Sequence, residues 1–256
     1  MSFQENVFNS VSASTIRTWR GTRTGTQFRQ PEKLPVLYDR EGCPECRLVR
    51  EGLTELDLDA RIRPCPEGGQ RFTAEMQEAA GGSEEVRPPL LQDPNTGAVH
   101  HGARGILEYL FATYRKKPVP AALRPVRRNL VASRLASRVR GNRGLEARNV
   151  KRKPAEMELY SFESSPYSRI VRERLCEMEV PYILRNLGKQ QMADMGPPNF
   201  RFQLRRTYTP LPDTKRARFY DEHGEVQVPY LIDPKQGTAM FESRDILRYL
   251  DERYCQ

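Results

Sequence analysis

Cys43-Pro44-Glu45-Cys46 is the stretch of this chain whose residue types and spacing could do chemistry most directly. A thiol reacts as its thiolate, and the setting of Cys43 favours that form. A short apolar strand, 35–38, and a glycine precede it, and a helix is predicted from about residue 44. The unpaired N–H groups and partial positive charge of a helix N-terminus stabilise an anion placed there. Pro44 suits the first helical turn, where a missing N–H costs nothing. Cys46, one turn further on and expected to be buried, could attack a mixed disulfide formed at Cys43 and complete an exchange. Arg47 and Arg50 add positive charge, and Glu45 opposes it. Thiol–disulfide chemistry is the leading reading; half a metal site and a redox relic remain as alternatives. A metal site needs two further ligands at compatible geometry. Only Cys65, His100, His101 and His223 offer the right types, with no second CxxC, so no metal is expected.

The five cysteines (43, 46, 65, 176, 255) in 256 residues are an odd number and a poor match to a secreted disulfide framework. No run approaches the ~18 apolar residues of a membrane span. The N-terminus lacks the apolar core of a secretory signal, though it is Ser-rich and Arg-bearing. The expected compartment is the cytoplasm, or an organelle if the N-terminus is a transit segment. The net charge of +9 is uneven. Residues 115–153 hold fourteen Lys/Arg and one acid, Glu146, so the rest of the chain is net acidic.

The elements that must position these residues occur twice. LYDREGCPECRLVREGLTELDLD (37–59) and LYSFESSPYSRIVRERLCEMEVP (159–181) match at ten of 23 positions without a gap. EVRPPLLQDP (85–94) aligns with EVQVPYLIDP (225–234), and GAVHHGARGILEYLFATY (97–114) with GTAMFESRDILRYLDERY (237–254). Three blocks in one order mean a duplicated unit. Each copy reads as strand, loop, helix and strand (35–38, from 44, 60–63; 157–160, from 166, 182–185). A variable stretch follows, with a helix at 71–80 in copy one, then a strand entered through Pro89 or Pro229. An Asp-Pro-x-x-Gly turn and an amphipathic helix (106–114; 246–254) close the unit. The expected fold class is α/β with a mixed sheet.

The copies differ where chemistry is at stake. Ser165 and Ser168 stand opposite Cys43 and Cys46, so copy two has no dithiol. Ser165 either hydrogen-bonds a thiolate supplied by a ligand or simply caps its helix. Copy two is 18 residues longer within 188–223, which reads as a surface loop or hairpin. The expected divisions are an N-terminal extension (1–33), copy one (34–114), a basic helical linker (115–153) and copy two (154–256). The linker predicts a helix packing through Val126, Leu130, Val131, Leu135 and Val139, then a poorly ordered run, GNRGLEARN. The extension predicts a short helix around 11–19 packing through Val7, Phe8, Val11, Ile16 and Trp19. The basic linker could also meet nucleic acid or an anionic membrane surface, although no recognition motif accompanies it.

Both copies resemble the thioredoxin-fold N-terminal domain of glutathione transferases, close to glutaredoxins, over roughly 34–114 and 156–254. The residues that carry the resemblance are CPEC or SSPYS after the first strand, the proline entering the third strand, and the start of the last helix. It implies two tandem thioredoxin-like (βαβ-ββα) domains without the all-helical transferase C-terminal domain, for which a 39-residue linker is too short. It also implies that Pro89 and Pro229 are cis. The residues before them, Pro88 and Val228, would pair with the cysteinyl part of glutathione. Glu242-Ser243 would grip the γ-glutamyl group, a pair that copy one replaces with Gly102-Ala103. The expected function is a glutathione-linked thiol–disulfide oxidoreductase, with Cys43 the nucleophile and Cys46 the resolving thiol. Glutathione would be cosubstrate, held mainly by copy two, and protein thiols or disulfides would be partners. The alternative is a non-catalytic binding or assembly protein built on degenerate copies of this domain.

Overall fold

The two copies share one eight-stranded sheet. The computed structural model describes residues 2–25, 30–151, 154–196 and 208–255. Copy one supplies β1 (Val36–Asp39), β2 (Ala60–Pro64), β3 (Leu90–Asp93) and β4 (Ala98–His101). Copy two supplies β5 (Met157–Ser161), β6 (Tyr182–Asn186), β7 (Tyr230–Asp233) and β8 (Thr238–Met240). The order is β4-β3-β1-β2-β6-β5-β7-β8. β1–β2 and β5–β6 run parallel, and the remaining pairs are antiparallel. The junction is β2 against β6, in the register Ala60↔Leu184, Arg61↔Ile183, Ile62↔Tyr182. In the duplication Arg61 corresponds to Ile183, so an approximate two-fold axis passes through that pair. What would be an exposed edge in each copy is thereby hydrogen-bonded to its duplicate.

Alternation along the strands sends side chains to two layers. One face is covered by α2 (Pro44–Glu55), α4 (Gly102–Tyr114), α6 (Pro166–Glu177) and α8 (Ser243–Leu250), the last continuing as a π turn over Asp251–Cys255. Its core runs across both copies, from Leu37, Leu53 and Phe111 to Leu159, Leu175 and Leu250. On the other face α3 (Thr73–Ala79) packs around Tyr38, Phe72 and Met76, and α7 (Lys215–His223) around Phe219 and Tyr230. α7 lies in the stretch read as a loop or hairpin, and its Thr214 cap accepts from Ala217 N–H. Residues 197–207 of that stretch lie outside the described residues. No helix among the described residues is long and apolar enough to cross a membrane.

Two helices lie outside the strand-bearing units: α1 (Phe3–Ile16) and α5 (Arg127–Val139). They pack on each other, α1 also on α6 and α5 also on α2. Neither rests chiefly on the apolar face the sequence suggested, although Leu130 packs against the core and Val7, Val11, Ile16 and Val139 are half-buried. α1 buries Asn6, Ser10, Ala13 and Ser14 while Phe8 is 70% exposed and Trp19 lies beyond its end. α5 buries Asn129, Ser133, Ala136 and Ser137, leaving Val126, Val131 and Leu135 exposed. Small residues let the helices approach closely, and their hydroxyls satisfy backbone groups at the neighbouring helix N-termini. Ser10 Oγ donates to Pro166 O at 2.8 Å, and Ser133 Oγ to Pro44 O at 2.9 Å.

Those matched contacts extend the duplication beyond the units first recognised. Asn6, Ser10, Ala13, Ser14, Arg17 and Gly21 correspond to Asn129, Ser133, Ala136, Ser137, Arg140 and Gly144. The extension and the linker are therefore copies of one leading segment. The run after α5 is not poorly ordered: Gly42 N–H donates to Gly144 O at 3.1 Å, mirrored by Ser164 N–H to Gly21 O at 3.1 Å. Each leading segment then makes one parallel bridge, Glu146 to Glu67 on copy one and Arg23 to Lys189 on copy two.

Candidate active site

The Cys43 side chain stands at the N-cap of α2, half-buried, and Pro44 occupies the first turn. A hydrogen bond from the Cys46 side chain, joined by the backbone N–H groups of Cys46 and Glu45, holds the Cys43 thiol down to about 7 against the opposing effect of burial. Cys46 is fully buried, and burial with the adjacent Cys43 pushes its thiol well up. One thiol is thus poised to ionise near neutrality and the other to keep its proton, with no disulfide between them. Cys65 and Cys176 are buried thiols with raised values, chiefly from desolvation.

The Pro88–Pro89 peptide is cis. Pro89 O accepts from Gly102 N–H at 2.9 Å, which ties the third-strand entry to the start of α4. Beside it, Glu45 Oε2 accepts from Ala103 N–H at 3.2 Å. The chain's own carboxylate therefore occupies the donor at the first turn of α4.

Copy two has the same frame with different occupants. Ser165 caps α6, its Oγ accepting from Ser168 N–H at 3.3 Å. Val228–Pro229 is cis. Tyr167 corresponds to Glu45, so no carboxylate reaches the N-terminus of α8 from that position. Ser243 is 1% exposed, and its Oγ has no hydrogen-bond partner among the described residues. Glu242 adopts φ 65° and ψ 110°, a left-handed conformation costly for a residue with a Cβ, where Gly102 of copy one has φ 74° at no such cost. Gln227 Nε2 donates to Glu242 Oε1 and fixes that side chain. A buried, unmatched hydroxyl and a strained backbone at one helix start fit a bound acidic ligand group.

Ser165 and Val228 line one cleft of about 1030 Å³ that includes neither Cys43 nor Cys46. The dithiol of copy one lies outside that cleft.

Between the copies lies a feature that sequence reasoning missed. Arg50 Nη1 donates to Asp39 at 2.7 Å and its Nε to Glu163 at 3.0 Å across the junction. Its duplicate, Arg172, reaches Glu41 at 3.1 Å and Glu163 at 2.9 Å. Outer pairs repeat the symmetry: Arg17 with Glu51 at 2.7 Å, Arg140 with Glu173 at 2.6 Å. All these groups are almost wholly buried. Arg47 and Arg50 are thus engaged by carboxylates rather than offered to the Cys43 thiolate. The signal was present as Glu-x-x-Pro-x-x-Arg-x-x-Arg in both copies, at Glu41–Arg50 and Glu163–Arg172.

Two βαβ-ββα units, each with a cis-proline beside the N-terminus of its first helix, define a thioredoxin-like protein. The model of the glutathione S-transferase N-terminal domain matches residues 37–118 and 159–256, and the chain belongs to that family as a tandem of its domain. No curated protein and no solved structure matches the chain significantly.

Proposed function

We propose that the chain is a glutathione-linked thiol–disulfide oxidoreductase in which copy one performs the exchange and copy two holds glutathione. Family membership supports the glutathione-related part. The observation that carries the redox part is the pairing of a Cys43 thiol near 7 with a buried, protonated Cys46. Cys43 Sγ attacks a disulfide, forming one S–S bond while the displaced sulfur leaves as a thiolate and takes a proton. Cys46 then loses its proton and attacks Cys43 Sγ, which releases the second substrate thiol. Two electrons pass from the dithiol to the substrate, leaving a Cys43–Cys46 disulfide. Two glutathione thiols restore the dithiol and become glutathione disulfide.

Trapping tests this reading. Cys46→Ser should accumulate a mixed disulfide at Cys43 with a disulfide substrate, seen by intact mass, and Cys43→Ser should accumulate none. Full exchange activity in Cys43→Ser would sink it. One observation favours the non-catalytic alternative: Glu45 fills the helix start beside the dithiol. A Cys43 that alkylates with an ordinary thiol profile, together with an inactive native chain, would select that alternative.

A further inference from the structure

The cleft beside Ser165 is built partly by a segment that does not belong to copy two. Thr18–Gly25, at the end of the first leading segment, forms part of its wall together with Phe162, Tyr167 and Val228. The family match begins at residue 37, so this segment lies outside the recognised domain. Among the described residues its lining holds five cationic side chains, Arg20, Arg23, Arg115, Lys189 and Arg216, and two acids. The acids are matched within the wall: Glu55 by Arg115 at 2.8 Å, Asp194 by Arg216 at 3.5 Å. The cleft is therefore net positive as well as partly aromatic, with Trp19 and Tyr167 each 43% exposed. Thr24 is 9% exposed, and its Oγ1, in the same lining, has no hydrogen-bond partner among the described residues.

The duplicate provides an internal control, because the same architecture on copy one lacks each of these properties. Leu145 replaces Thr22 and packs onto Gly42, where an added Cβ would sit 2.6 Å from Leu145 Cγ. Arg148 replaces Gly25 and is held by Glu177 at 2.7 Å. The bridging pair is Glu146 with Glu67 rather than Arg23 with Lys189, a reversal of charge at the same place. Asn142 and Gly141 take the left-handed turn that Trp19 and Thr18 must adopt at φ 55° and 50°. Asn and Gly tolerate that conformation, whereas Thr and Trp do not adopt it readily. Copy two thus holds an aromatic ring in a strained turn at the mouth of a positive cleft, and copy one has relaxed, filled and reversed it. A fold that merely left a void would leave two.

We infer that this cleft binds a small organic anion that joins an aromatic body to a carboxylate, sulfonate or phosphate. The ring lies against Trp19 and Tyr167, and the acidic group is met by Arg20 and Arg23, while Lys189, whose Nζ donates to Gly196 O at 2.8 Å, adds positive charge beside them. The same cleft includes Ser165 and Val228, so this anion and glutathione would compete for it, but the contacts at Trp19, Tyr167, Arg20 and Arg23 do not require glutathione to bind.

Trp19 is the sole tryptophan, so isotope-labelled full-length protein gives a single indole N–H resonance that reports on the cleft. Titration with naphthalene-2-sulfonate should move that resonance saturably, and the uncharged 2-naphthalenemethanol should bind about tenfold more weakly or not at all. Arg20→Glu with Arg23→Glu, both exposed positions, should weaken the sulfonate about tenfold without changing the melting temperature. Thr22→Leu, which imports the filling residue of copy one, should abolish the shift. No saturable shift, equal affinity for the neutral compound, or indifference to the double charge reversal overturns the assignment. A chain that shows the shift but gives no heat with glutathione supports this inference and removes glutathione from copy two; the two readings fail separately.

Discussion

Glu45 and Ala103 are joined by a hydrogen bond of 3.2 Å between a side-chain carboxylate and the first-turn N–H of α4. In copy two Tyr167 stands at the position of Glu45 and offers no carboxylate. The pair shows what kind of group this corner of the fold accepts and shows that copy one supplies it from within. Glutathione should therefore not occupy copy one of the native chain. Glu45→Ala should free the donor and raise the number of glutathione molecules bound per chain from one to two, measured by calorimetry. An unchanged count after substitution would mean that Glu45 is not what closes the site.

The Cys43 thiol lies near 7, where an unperturbed cysteine lies near ~8.5. Its alkylation rate should climb between about pH 6 and 8 and level off above, at pH values where a free thiol still accelerates. Cys46→Ala removes the largest stabilising hydrogen bond and should shift the midpoint upward. A midpoint that stays in place would assign the stabilisation to the helix N-terminus alone.

Ser243→Ala and Glu242→Gly separate binding from folding. The first removes a buried hydroxyl with no partner, and the second relieves a left-handed glutamate. Each should leave stability unchanged or raise it by up to about 1 kcal/mol. Each should also weaken glutathione at least several-fold. Loss of stability with affinity intact would make these residues ordinary parts of the fold.

Glu163 serves Arg50 and Arg172 at once, across the junction. Although burial works against its charge, Arg172, Arg50 and Arg47 hold its carboxyl down to about 2 from 4.5. A lowered carboxyl contributes stability that is complete above 4.5 and is lost as pH falls towards 2. Glu163→Gln leaves buried guanidinium groups short of a counter-charge and should cost about 3–5 kcal/mol. Chemical denaturation at neutral pH measures that loss, and the variant's acid unfolding should be less steep than that of the native chain. A mild effect at neutral pH would show that water or Glu41 compensates.

The strand–helix–strand order, the cis-prolines, the burial of Cys46 and the family were legible because each rests on a local pattern or a matched block. The single sheet was not, since edge pairing of Ala60–Pro64 with Tyr182–Asn186 leaves no mark in either strand's alternation. The leading helices were misread for a related reason. Apolar spacing marked Phe8 and Val131, while the buried face is made of Ser10, Ala13, Ser133 and Ala136, chosen for close approach and hydroxyl donors. Small polar residues carry no hydrophobic signal. Arg47 and Arg50 were read by their own charge, and only the fold brings Glu163 to them.

The register in which Arg61 lies opposite Ile183 has an evolutionary consequence. Two separate chains meeting about such an axis would be products of one gene, and any change at one site would appear at the other. Joined in one chain, the halves mutate independently while the paired strands keep them in place. That freedom is what allows one half to carry two thiols and the other to carry two serines with an open, positively charged neighbour.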